Sequence, residues 1–77
     1  MTKDLNWENR AANALKAELK KANLTYDELA LRLNAIGVPE TNASIRNKLS
    51  RGKFSFLFVL QCAEVMKKEF YLRPQAD

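Results

Sequence analysis

The sequence contains no histidine, only one cysteine and no long hydrophobic segment. These absences exclude an intramolecular disulfide and the usual zinc sites. Cys62 lies in an apolar segment without a neighbouring base, so we expect it to be a small core residue rather than a reactive thiol. The chain also shows no pairing of a nucleophile with a base and no glycine-rich phosphate loop. We therefore expect no enzymatic activity, no metal and no cofactor.

Glycine and proline are scarce, with two of each among 77 residues, while 47% of the residues are hydrophobic. This composition predicts one folded domain over 1–77, with a core over about 7–70 and a tail over 71–77. The longest uninterrupted apolar segment, Phe56 to Leu60, is far shorter than the roughly 20 residues of a membrane-spanning helix. We expect a soluble, cytoplasmic protein with no membrane partner.

The chain is basic, with 13 lysines and arginines against nine acidic residues and a net charge of +4. This balance suits a polyanionic partner, and nucleic acid is the first choice. An anionic membrane surface is the weaker choice, because the apolar side of the first predicted helix consists mostly of alanine. A chain this short buries a modest share of its surface, so a second subunit that covers apolar area is also considered.

Two early segments have apolar residues at every third or fourth position, the pattern of an amphipathic helix. The first helix is expected over about 7–22, with Trp7 in the core or at an interface and base stacking as the alternative. Thr25 and Glu28 match a capping box at the start of the second helix, which Gly37 ends. The expected buried residues are Trp7, Ala11, Leu15, Leu19 and Ala22 in the first helix, and Tyr26, Leu29, Ala30, Leu33 and Ile36 in the second.

A short third helix is expected from its cap at Thr41 to about Arg51, with Gly52 as its end. Ile45 and Leu49 are the only large apolar residues in this segment. They can anchor one edge of the helix, which leaves the other side chains facing outward.

The fourth helix is expected within Phe54 to Met66, with Ser55 as its cap. Apolar residues surround so much of this helix that it needs two covered faces. One reading places all of them in the core of one molecule, and the other uses one face for a homodimer. The two sides comprise Phe56, Val59, Leu60 and Ala63, and Phe58, Cys62 and Val65.

A capped amphipathic helix followed by a short polar helix is the arrangement that fits the DNA major groove. Asn47 can pair with adenine, Arg46 or Arg51 with guanine, and Ala43 lets the backbone approach. The alternative is a solvated polar helix in an ordinary bundle, with the lysines as a solvated surface. The expected base contacts are Asn42, Ala43, Arg46, Asn47, Ser50 and Arg51, and the expected lysine contacts to phosphate are Lys16, Lys20, Lys48 and Lys53.

The pattern Leu24-Thr25-x-x-Glu28-Leu29-Ala30-x-x-Leu33, then Gly37-Val38, then Arg51-Gly52-Lys53, resembles the phage-repressor and Cro-like (XRE-type) helix-turn-helix domain over about 15–66. The resemblance implies a compact all-α bundle of four to five helices, lambda-repressor-like, that binds double-stranded DNA, commonly as a dimer. In that family the residue after the helix cap is usually a glutamine that bonds a phosphate, and here it is Tyr26, whose hydroxyl can do the same or whose ring can simply pack. Thr25 and Tyr26 complete the expected phosphate contacts. The segment Arg46 to Phe54, with Leu57-x-x-Gln61-Cys62, is similar to small bacterial domains without an assigned function.

These features favour a bacterial or phage DNA-binding regulator of transcription. The segment between Leu33 and Ile45 is longer than the compact turn of the repressor family, which is a departure from that pattern. The alternative function is a protein-interaction module, antitoxin-like, phage-encoded or an adaptor, that uses the face of the fourth helix.

Overall fold

A computed structural model describes residues 6–76, and within this range the chain forms four α-helices and no strand. The helices are α1 (Trp7–Lys21), α2 (Tyr26–Ala35), α3 (Asn42–Arg51) and α4 (Phe56–Val65). The predicted all-α class and the four helices are confirmed. None of these helices combines the length and the apolar character that would let it cross a membrane.

Each helix begins at a residue whose side chain accepts a hydrogen bond from a backbone N–H three residues later. Thr25 accepts from the N–H of Glu28 at 3.1 Å, and the Glu28 carboxylate accepts from the Thr25 N–H at 2.9 Å. This reciprocal pair is the predicted capping box. Thr41 and Ser55 also cap their helices as predicted, and Asn6 caps α1.

Left-handed residues end the helices where the sequence predicted them. Asn23 follows α1 with φ of 59°, Gly37 follows α2 with φ of 87°, and Gly52 ends α3 with φ of 69°. Lys67 follows α4 with φ of 62°, and the Arg32 guanidinium also donates a hydrogen bond to the Val65 carbonyl at 3.2 Å. This bond ties α2 to the last turn of α4.

The core lies where α3 packs against both α1 and α2, and where α4 packs against α2. Leu29, Leu33 and Ile45 have no exposed surface, and Leu49 is 1% exposed. The predicted anchors of α3 are therefore confirmed as core residues. The rest of the core comprises Leu15, Leu19, Ala30, Phe58, Cys62 and Val65.

The prediction was wrong for two residues that the apolar spacing placed in the buried stripes. Trp7 is 64% exposed, and its ring lies against the Arg10 guanidinium, 4.6 Å from the ring centroid. Ile36 is 49% exposed because α2 ends at Ala35, after which the side chain no longer follows the helical period. In α1, Ala12 is buried whereas the predicted Ala11 is only half-buried.

Gly52 is the point of closest approach between the end of α3 and the start of α1. A Cβ atom at this position would lie 2.1 Å from the carbonyl oxygen of Glu8 and 2.8 Å from its Cα. These distances are far inside van der Waals contact, so the absence of a side chain at Gly52 lets the two helices meet here.

Candidate nucleic-acid interface

Five of the six predicted base-contacting residues form one exposed surface on α3. Ile45 and Leu49 face the core, so the opposite side of the helix points to solvent. We call this surface the α3 outer face. Its two arginines can donate to guanine, its asparagine can pair with adenine, and its alanine leaves room for a base edge. The face comprises Ala43, Arg46, Asn47, Ser50 and Arg51, all exposed.

The sixth predicted base contact, Asn42, is half-buried and has both ends of its side-chain amide engaged. Its Nδ2 donates to the Asp27 carboxylate at 2.9 Å, and its Oδ1 accepts from the Arg46 guanidinium. Asn42 therefore connects the first turn of α2 to a residue of the α3 outer face. An amide held in this way orients Arg46, and one of its two N–H donors is committed to Asp27.

Lys48, a predicted phosphate contact, turns toward the protein. Its ammonium donates to the Glu40 carboxylate at 2.6 Å and lies 5.0 Å from the centroid of the Phe58 ring. The Glu40 side chain is only 8% exposed, and its other oxygen accepts from the Ser44 hydroxyl at 2.6 Å. Both carboxylate oxygens of Glu40 are thus bonded to α3.

The segment between α2 and α3 is also held from the α2 side. The Asn34 amide donates to the Glu40 carbonyl at 2.9 Å and to the Ala30 carbonyl at 2.7 Å. Together, Asn34 and the Glu40 carboxylate fix a connection that is longer than a compact helix-turn-helix turn. They compensate for the extra residues and hold α3 in place relative to α2.

Replacing Glu40 with alanine should lower the free energy of unfolding by about 2 kcal/mol, because hydrogen bonds to a charged group in a nearly dry position are lost. Urea denaturation measures this change. Glu64→Ala is the matched control, since it removes the same charge from an exposed position of α4 and should change stability by less than about 0.5 kcal/mol. Equal effects of the two substitutions would contradict the structural role of Glu40.

Four of the predicted phosphate contacts line a single cleft of about 340 Å³ where α1 ends and α2 begins. Lys16 and Lys20 are exposed on its α1 side, and Tyr26 is half-buried on its α2 side. Thr25 is at the cleft too, but its hydroxyl bonds Glu28 in the helix cap. Asp27 follows Tyr26 in the chain and accepts a hydrogen bond from Asn42. The cleft is therefore next to the start of α3.

The remaining predicted phosphate contact, Lys53, lies just after α3. Its side chain is 72% exposed, and its ammonium is 4.0 Å from the Glu8 carboxylate. An ion pair this long and this exposed contributes little, so the ammonium stays available to an anion. Lys53 thus adds positive charge at the C-terminal end of the α3 outer face.

Cys62 lies beneath the Glu40 and Lys48 pair and is fully buried. Burial raises the pKa of the Cys62 thiol to about 12, and the negative charge of Glu40 adds to the increase. The thiol therefore stays protonated and unreactive in the folded protein. Among the described residues, no group of three or more acidic or cysteine side chains could hold a metal ion.

Sequence reasoning missed Asp27, Asn34 and Glu40, the residues that position α3. Glu40, Ser44 and Lys48 are spaced four apart, which is a helical spacing, so this signal was present in the sequence. This spacing was not recognised because Glu40 precedes Thr41, the predicted start of the helix, and was therefore not counted as part of it. The contact between Asp27 and Asn42 joins residues 15 positions apart, and no local pattern indicates it.

A protein-family model matches residues 7–70, which include all four helices. The chain belongs to this family, described as a domain of unknown function, DUF6471. The match agrees with the similarity to small domains without an assigned function that the segment from Arg46 to Phe54 indicated. In this DUF6471 domain, the matched range contains the α3 outer face and the cleft beside it. No curated protein and no solved structure matches the chain.

Proposed function

We propose that this domain binds double-stranded DNA as a lambda-repressor-like helix-turn-helix module, with α3 in the major groove. The observation that carries the proposal is the contrast between the two sides of α3. Ile45 and Leu49 are buried, whereas the whole α3 outer face is exposed and carries side chains that can read base edges. A major groove about 12 Å wide accepts one helix in this orientation.

The surroundings of α3 support the same orientation on DNA. Lys16 and Lys20 in the cleft and Lys53 after α3 supply positive charge on both sides of the reading helix. Contacts of this kind fix a protein on the phosphate backbone without reading sequence. Lys48 is bound to Glu40 and is not needed for the phosphate contacts in this arrangement.

The two arginines have different roles in this proposal. Arg46 is oriented by Asn42, which Asp27 holds in turn, so Arg46 is the reader with a defined direction. Arg51 lies in the last turn of α3 and has the freedom to contact either a guanine or a phosphate. Asn42 acts as a positioning residue rather than as a base contact.

The proposal is tested by titrating fluorescent random duplexes at about 50 mM salt, followed by selection of preferred sequences. Affinity should fall steeply with salt, with a log-log slope of about 0.9 per neutralised phosphate. On a selected sequence, the double variant Arg46→Ala/Arg51→Ala should bind at least about 30-fold more weakly, because each guanine contact contributes about 1 to 3 kcal/mol.

The matched control is Arg10→Ala/Arg73→Ala, which removes the same charge from two exposed arginines outside α3. It should lower affinity only to the extent that net charge does. No binding of the unchanged protein to random duplexes at low salt rejects the proposal, and equal losses in the two double variants reject α3 as the reading helix.

A second candidate function rests on α4, which leaves Phe56, Leu57 and Leu60 exposed. A cytoplasmic interaction module could hold a protein partner on this face without using α3. Binding of such a partner would survive the double substitution of Arg46 and Arg51. Neither function requires catalysis, and we propose no enzymatic activity for this chain.

A further inference from the structure

An open apolar groove of about 580 Å³ runs between α1 and α4. On the α1 side, the small side chains of Ala11 and Ala14 form its floor. On the α4 side, Phe56 and Val59 form its wall. The C-terminal segment forms the rim, because the Phe70 ring packs edge-on against Phe56 with the centroids 5.0 Å apart. The groove is therefore a formed feature with aromatic walls and a floor of small side chains.

An ion pair holds the rim of this groove in place. The Lys68 ammonium donates to the Glu18 carboxylate at 2.7 Å, which connects the C-terminal segment to α1 across the end of the groove. The hydrogen bond from Lys68 lowers the pKa of Glu18. Opposite charges thus pair at the rim, and Glu69 is the one charged lining residue outside this pair.

A ridge of large apolar side chains lies next to the groove on the same helix. Leu57 is 63% exposed and Leu60 is 42% exposed, and neither lines the groove. Tyr71 and Leu72 extend the apolar surface, with 69% and 85% of their surface exposed. The groove and the ridge are thus adjacent surfaces of one molecule.

The area of the exposed apolar surface indicates that a protein partner covers it. Together the exposed apolar side chains of α4 and of the C-terminal segment present on the order of 700 Å². Monomeric proteins seldom expose a contiguous apolar patch above about 600 Å², and a stable interface buries about 800 Å² on each partner. The patch is therefore close to the area that one partner covers in a stable interface.

We infer that the occupant is a second copy of this chain, in a two-fold dimer where Leu57 and Leu60 of each copy enter the α1/α4 groove of the other. A two-fold axis lets two molecules exchange a ridge and a groove that lie side by side. Large leucine side chains fit a floor made of Ala11 and Ala14. This inference goes beyond DNA binding and does not depend on it.

Salt distinguishes this contact from one with nucleic acid. Each copy carries a charge of +4, so two copies repel each other at low ionic strength. Added salt screens this repulsion and should strengthen the dimer, whereas the same salt weakens binding to DNA. The two equilibria are measured separately, so failure of one leaves the other intact.

The test is sedimentation equilibrium of the full chain, without DNA, from low to high micromolar concentration. We expect reversible association to twice the 8.8 kDa mass, with affinity that rises with salt. The variant Leu57→Lys/Leu60→Lys should raise the dissociation constant at least 30-fold, because two lysines would be placed in an apolar groove. Both positions are exposed in one copy, so circular dichroism should show unchanged helix content.

Leu31→Lys is the matched control, since Leu31 is 71% exposed on α2 and does not line the groove. It should raise the dissociation constant only to the extent that one added positive charge does. A monomer at high micromolar concentration overturns the inference. A dimer that Leu31→Lys weakens as much as the double variant also overturns it, because association would then reflect general stickiness.

Cross-linking tests the register of the dimer directly. Leu57→Cys and Ala14→Cys variants, mixed and oxidised, should form a heterodimeric disulfide, while Leu31→Cys mixed with Ala14→Cys should not. The natural Cys62 is buried and protonated, so it does not interfere. Equal yields in the two mixtures would overturn the proposed contact between the ridge and the groove.

Discussion

Replacing Gly52 with alanine should destabilise the domain by about 2 to 5 kcal/mol. Two costs add up at this position, because Gly52 has a left-handed backbone and because its Cα faces the backbone of Glu8. The left-handed conformation costs an alanine about 1 to 2 kcal/mol, and forcing packed elements apart costs about 1 to 3 kcal/mol. Domains of this size have a total stability near the low end of about 5 to 15 kcal/mol.

Gly37→Ala separates the two costs. Gly37 also has a positive φ, at 87°, but no atom lies within 4 Å of the Cβ that alanine would add. This variant should lose only the backbone part, about 1 to 2 kcal/mol. Urea denaturation of both variants gives the difference, and a Gly52→Ala variant no less stable than Gly37→Ala would mean that α1 does not pack closely on the end of α3.

Ile45→Ala should lower the free energy of unfolding by about 2 to 4 kcal/mol and, under the proposed function, weaken DNA binding even in molecules that remain folded. Ile45 has no exposed surface, and it lies where α1 and α2 both contact α3. Its removal leaves a cavity that the surrounding helices fill only in part. Because the cavity lies under the reading helix, the α3 outer face loses its fixed position.

Leu31→Ala is the control for this prediction. It also shortens a large aliphatic side chain, but that side chain is 71% exposed, so stability should change by less than about 0.5 kcal/mol. Thermal and urea unfolding report on stability, and duplex titration well below the melting temperature reports on binding. If Ile45→Ala unfolds at the same urea concentration as Leu31→Ala, α3 is not anchored as described.

The sequence predicted the helices well because their boundaries are encoded locally. Thr25, Thr41 and Ser55 each bond a backbone N–H three residues later, which a single turn of chain is enough to determine. Gly37 and Gly52 end their helices in the conformation that glycine permits best. The exposure of five predicted base contacts followed from the same logic, since Ile45 and Leu49 define the buried edge of α3.

Residues at the ends of helices were predicted less well. Trp7 falls on the apolar period of α1, but its side chain is 64% exposed and stacks against Arg10 of the same helix. In α4, the apolar residues on both sides indicated two covered faces, yet Phe56, Leu57 and Leu60 stay exposed in the single chain. The apolar period indicates which residues share a helical face, and tertiary packing decides which residues of that face are buried by other helices.

The polar contacts that position α3 and α4 could not be predicted in full. The Arg32 guanidinium reaches a carbonyl 33 residues away, and Asp27 reaches Asn42 across two helices. Such pairs depend on how whole helices are placed, and many polar residues could have formed equivalent bonds. Lys48 is a different case, because its helical spacing from Glu40 was visible in the sequence although Glu40 precedes the helix cap.

The four side-chain caps have a consequence for the kinetics of folding. Since Asn6, Thr25, Thr41 and Ser55 each start a helix from within its own first turn, initiation requires no contact with a distant part of the chain. The search for the native state then consists mainly of docking short segments that already have defined beginnings. Helical domains of this kind fold on the microsecond to millisecond timescale.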